Sequence, residues 1–178
     1  MRWLPLLALA AALPAAANAP SPYAGMTDRP IRALSAEQQA DLRAGRGMAL
    51  ALAAELNGWP GPMHVLELAD GLRLSADQRR RTEALMAAMR TEAAALGERI
   101  IAEEAALDAL FREPRVAPGD LSARTAQIAA LNGALRALHL RTHLAQAELL
   151  TREQIEAYGR LRGYGSAATP GAHGRHRH

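Results

Sequence analysis

His139 and His143 are four residues apart, so on a helix they lie one turn apart on one face. That is the spacing at which two imidazoles can share a metal ion. His64 and Glu67 repeat the theme at three-residue spacing. A short helix folded back beside the open end of a hairpin would bring His64 and Glu67 to the His139/His143 turn. Three imidazoles and a carboxylate form a nitrogen/oxygen field suited to Zn, Ni, Co or Cu(II). The plainer reading of the same residues is a set of surface or hydrogen-bonded helix side chains. His173, His176 and His178 are a separate group near the C-terminus, in a short stretch that either binds metals loosely or is compositional noise.

Other chemistry-bearing residues are few. Arg79, Arg80 and Arg81 stand at the start of a helix, where the positive end of the helix dipole disfavours cations. They read as a solvated face or as part of a partner-binding surface. Met86 and Met89 are flexible and polarisable, which suits either core filling or varied client contacts. The chain has no cysteine, few serines and no Gly-rich phosphate loop. No nucleophile, histidine and carboxylate are arranged around a pocket, so an enzyme is not expected. No cofactor is required, and a divalent transition metal is the one candidate.

All 21 basic residues are arginine, and the net charge is +3. With abundant Ala and Leu, this arginine bias looks like the codon usage of a GC-rich genome. The two signs of charge are interspersed, so no nucleic-acid footprint is indicated. Without cysteine there is no disulfide, and stability must come from helix packing.

The N-terminus reads as an export signal over residues 1–19. Met1 and Arg2 precede the apolar run Trp3 to Ala12, Pro14 breaks it, and Ala17-Asn18-Ala19 is a small-x-small cleavage site. A run of about ten residues is half of what a membrane span needs. No later segment is apolar enough to cross a membrane, so the product expected after cleavage has no transmembrane segment. Residues 20–33, with Pro20, Pro22, Gly25 and Pro30, read as an extended arm.

A helical domain is expected over residues 34–162. Ser35, with Gln38 three positions on, opens a helix running to Leu56, weakened by Gly45 and Gly47. Asn57 to Pro62 stops it, and a short helix follows from Met63 to Asp70. Thr82, Leu85, Met89, Ala93, Leu96, Ile100, Leu107 and Leu110 form one apolar stripe at three- and four-residue steps, with one seven-residue step from Ile100 to Leu107. Pro114, Pro118 and Gly119 mark a reversal. A second stripe then runs through Leu121, Thr125, Ile128, Leu131, Leu135, Leu138, Thr142, Ala145 and Leu149. Two long helices joined by a short loop lie antiparallel. A last helix runs from Thr151 to Arg162, and residues 163–178 read as a disordered tail. Phe111, Trp59 and Tyr158 are the aromatic residues expected in the core. So thin a hairpin would complete its core by homodimerising.

Leu74-Ser75-Ala76-Asp77-Gln78 and Leu150-Thr151-Arg152-Glu153-Gln154 follow one pattern, Leu-Ser/Thr-x-x-Gln, and Leu34 to Gln38 is a third copy. Each is a capping box preceded by an apolar staple residue. Two such boxes flanking a helical hairpin behind an export signal resemble the Spy/CpxP family of periplasmic proteins, over roughly residues 62–162. The first box has Ser75 where the family motif has Thr. The resemblance implies an all-α fold, a long antiparallel helical hairpin with shorter flanking helices in a dimeric cradle, located in the periplasm. It also implies one of three tasks, of which the first is the leading expectation and the other two are alternatives. The first is ATP-independent chaperoning of unfolded or envelope proteins in the stress response, with arginines and apolar groups (Met86 and Met89 among them) holding clients. The second is binding of a heavy metal as a sensor or resistance protein. The third is restraint of an envelope-stress sensor.

Overall fold

The computed structural model describes residues 21–164. The expected export signal and His173, His176 and His178 lie outside the described residues. The fold is all-helical. Six α-helices follow in order: α1 (Ala36–Arg43), α2 (Leu52–Glu55), α3 (Pro62–Glu67), α4 (Ala76–Leu110), α5 (Pro118–Glu148) and α6 (Arg152–Leu161). Helices α4 and α5 form the antiparallel hairpin, each about 50 Å long at 1.5 Å per residue. Among the described residues no helix is long and apolar enough to cross a membrane.

The two stripes meet as their spacing requires. Ala93, Ile100 and Ile101 of α4 pack against Leu131, Leu135 and Leu138 of α5. The loop between them covers residues 111–117, and α5 starts ahead of Leu121 because Pro118 occupies its first turn. Its missing N–H costs nothing there, and its fixed φ suits a helix start.

Helix α1 crosses α4 at close range. A Cβ on Gly45 would stand 2.6 Å from the Arg90 carbonyl oxygen, and one on Gly97 would collide with the Leu42 carbonyl. The helix expected to reach Leu56 instead ends at Arg43, and Gly45, Met48 and Ala49 all take left-handed φ values. A left-handed backbone at non-glycine residues costs about 1–3 kcal/mol each, so the chain leaves its helix here under strain. Residues 21–35 differ from an extended arm too. They form a 3-10 turn at Ala24–Met26 and dock Ile31 into the core. Arg32 and Arg112 both grip Asp108, and Arg112 also donates to the Pro30 carbonyl at 3.0 Å.

All three capping boxes close, at Ser35/Gln38, Ser75/Gln78 and Thr151/Gln154. Two of them do more than cap. The Gln78 amide donates to Gln154 Oε1 at 2.8 Å, and the Gln154 amide donates back at 3.0 Å. Gln78 Nε2 also reaches the Leu149 carbonyl and Gln154 Nε2 the Leu72 carbonyl. The repeated motif is therefore a joint: its glutamines tie the start of α4 to the start of α6. Leu74 and Leu150 pack beside it against a second small core of Val65, Leu72 and Tyr158. Of the three aromatics expected inside, only Tyr158 is buried. Phe111 sits at the bare turn of the hairpin, 63% exposed, and Trp59 is 43% exposed on the α2–α3 connection.

Candidate functional site

At the open end of the hairpin a cavity of about 590 Å³ lies between α5, α4, α3 and the 44–55 segment. Its wall carries His64, His139, His143 and Glu55, with the thioethers of Met48, Met63, Met86 and Met89. His64 and the His139/His143 turn thus line one cavity. Among the described residues, however, no three His, Asp or Glu side chains are gathered tightly enough to ligate one ion as they stand.

The ring nitrogens are differentiated by their partners. His143 Nδ1 lies 2.7 Å from the Trp59 carbonyl oxygen. A carbonyl only accepts, so Nδ1 carries a proton, and in the neutral ring Nε2 is the nitrogen with the lone pair. His64 Nδ1 is likewise 2.7 Å from Glu67 Oε2, a carboxylate acceptor. A metal-ligating histidine is commonly oriented through its other nitrogen in just these two ways. His139 is 4% exposed, and its Nε2 has no hydrogen-bond partner among the described residues. Burial, and then the neighbouring His143, hold its pKa below the ordinary histidine value.

Space for these rings is set by two glycines. Gly47 lies against the His139 imidazole, and a Cβ on Gly61 would stand 2.8 Å from His143 Cε1. His143 reaches its place because Gly61 starts α3 without a side chain, with Pro62 following in the first turn.

Glu67, expected as a ligand, does not line the cavity; it is 57% exposed and orients His64 instead. The carboxylate on the cavity wall is Glu55, which sequence reading passed over. Glu55 is 6% exposed. Its Oε1 accepts from Tyr158 Oη at 2.5 Å and from Tyr164 Oη at 2.9 Å, with Arg162 Nε at 3.4 Å. Its Oε2 is buried without a hydrogen-bond partner among the described residues and lies 3.9 Å from His143 Nδ1. Burial, then the bond to the Glu55 carboxylate, raises the Tyr158 pKa far above the ordinary tyrosine value. Tyr164 is thus fixed to the body of the protein, although the tail was expected to begin at residue 163. One local signal did mark Glu55, an acidic residue inside the apolar run from Met48 to Leu56.

The remaining expected site residues divide. Met86 and Met89 are half-buried on the cavity wall, and Met89 also packs against the hairpin core. Arg79 and Arg80 pair with Asp70 and Asp77 at 3.4 and 2.8 Å, and Arg81 is exposed. Arg79, Arg80 and Arg81 lie outside the cavity, whose wall carries Arg46 and Arg90. Comparison of the chain with family models, with curated proteins and with solved structures returns no match in any of the three.

Proposed function

We propose that this chain is a transition-metal-binding protein of the bacterial cell envelope, acting as a sensor or resistance protein on a Spy/CpxP-like helical hairpin. The observation that carries this reading is the pair of unsatisfied buried atoms, His139 Nε2 and Glu55 Oε2, on the wall of one cavity. A buried polar atom without a partner costs about 1–3 kcal/mol, and a cation is a partner that both an imidazole nitrogen and a carboxylate oxygen accept. His64 and His143 add two further Nε2 lone pairs. Imidazole and carboxylate suit Zn, Ni, Co or Cu(II), while the methionine thioethers soften the field. Side-chain rotation within the cavity would gather the ligands. Calorimetric titration with Zn, Ni and Cu should show one site per chain that disappears in the His139→Ala/His143→Ala variant. Unchanged affinity in that variant rules the cavity out.

A second reading, ATP-independent chaperoning of unfolded envelope proteins, is favoured by a different observation. Leu52, Leu56, Trp59 and Met63 are all exposed along one segment, and Leu52 and Met63 border the cavity. Exposed apolar groups of this kind mark surfaces that take a partner. A client, a second copy in a homodimer or a stress sensor would all use them. Suppression of the aggregation of a denatured client without nucleotide tests the chaperone. No effect at several-fold molar excess counts against it, and sedimentation as a monomer counts against the dimer.

A further inference from the structure

The carboxylate on the cavity wall has a second task. Glu55 Oε1 is taken by Tyr158 of α6 and by Tyr164 just beyond it, with Arg162 beside them. Helix α6 is held at its start by the Gln78/Gln154 amide pair and at its far end by this carboxylate. Glu55 lines the cavity, and its Oε2 is buried with no hydrogen-bond partner among the described residues, 3.9 Å from His143 Nδ1.

One carboxylate cannot serve both sides independently. A cation drawn to Oε2 withdraws electron density from Oε1, which weakens its acceptance from the two tyrosine hydroxyls. It also sets a positive charge near the Arg162 guanidinium, which is already within 3.4 Å of the same group. Both effects act against the docked far end of α6.

We propose that cation binding in the cavity and docking of the end of α6 are competitively linked through Glu55, so that an occupied cavity releases the segment from Ile155 to Tyr164. This rests on the metal-binding reading and assigns that site its output. Linkage is reciprocal: whatever weakens the hold of α6 on Glu55 must strengthen cation binding by the same factor.

The test combines hydrogen exchange with titration on the full chain, using Zn, Ni and Cu(II) chloride in turn. With the metal that binds, backbone exchange across 155–164 should rise by about tenfold, while exchange in the α4–α5 seam stays unchanged. Arg162→Gln should bind that metal several-fold more tightly than wild type. Tyr164→Phe, which removes a single hydroxyl, should move in the same direction by a smaller factor. If the wild-type chain binds metal through His139 but exchange across 155–164 is unchanged or slowed, the linkage is overturned and the metal site stands. Equal or weaker binding by a folded Arg162→Gln likewise overturns it. If no metal binds, or if binding is indifferent to His139→Leu, both the site and its linkage fall.

Discussion

From Ala93 to Ile101 the long helix α4 meets α5 through Ile100, Ile101, Leu131, Leu135 and Leu138. Toward the open end the same two helices meet through Thr82, His139, Thr142 and Gln146, all 5% exposed or less. The backbone geometry is continuous across the change; the chemistry is not. From Ala93 to Ile101 the seam is apolar; nearer the turn Arg124 of α5 pairs with Glu103 of α4 at 2.6 Å, and the arm is clamped by the Arg32–Asp108–Arg112 cluster. At the open end Gln146 Nε2 donates to Thr82 Oγ1 at 3.2 Å, while Gln146 Oε1, His139 Nε2 and Glu55 Oε2 have no hydrogen-bond partner among the described residues. One half of the hairpin is built for stability, whereas the other gives up stability to hold polar atoms in place. Such a local sacrifice is what functional sites show.

Truncation should separate the two halves most sharply. Leu135→Ala in the apolar half is expected to cost about 2–5 kcal/mol by transfer and cavity terms together. Replacing the polar pair with Thr82→Val and Gln146→Leu should change stability by about 1 kcal/mol or less, because both partners of one hydrogen bond are removed together. Chemical denaturation followed by circular dichroism reads both. Equal losses in the two halves would remove the contrast.

His139→Leu sharpens the contrast further. It deletes an unsatisfied buried nitrogen, so the folded chain should gain about 1 kcal/mol or more while losing metal binding. The pH dependence has the matching sign. The folded-state pKa of His139 lies below its unfolded value, so the unfolded chain binds the extra proton first. Stability contributed by this residue is therefore complete above the unfolded value of about 6.5 and falls as the pH drops below it. Wild type should lose stability as the pH falls below about 6.5, and His139→Leu should flatten that fall. A slope unchanged in the variant would place the titration elsewhere.

The turn end should respond in a different window and more weakly. Burial alone would raise the Asp108 pKa, but the hydrogen bonds and charge from Arg112 and Arg32 outweigh it and hold it low. The stability it contributes is present above about pH 4 and is lost only as the pH falls through the lowered folded value. Because both arginines are half exposed, Asp108→Asn should cost about 1 kcal/mol or less. Thermal melts at pH 7 and pH 3 check this, since the gap between variant and wild type should close at the lower pH.

The sequence carried the parts of this account that depend on neighbours. The stripes of α4 and α5 and the three capping boxes are legible because each rests on spacings of three or four residues. The mutual bonding of Gln78 and Gln154 is not, because the motif says where a helix starts but not which start faces which. Glu55 meets Tyr158 across 103 residues, and nothing local announces the partner. Phe111 and Trp59 misled for a similar reason. Aromatic type favours burial, but the turn of a thin hairpin and the α2–α3 connection have no layer to cover them. Glu67 was read as a ligand from its spacing to His64, and that spacing produced a hydrogen bond to the histidine instead.

The most direct test is nitrogen-resolved NMR of the histidine imidazoles during titration of the full chain with Zn. The account predicts that the Nε2 signals of His139 and His143 move together to metal-bound values as the first equivalent is added. Signals of His173, His176 and His178 should respond only in excess. If the first equivalent shifts those three and leaves His139 and His143 unmoved, the cavity is not the metal site.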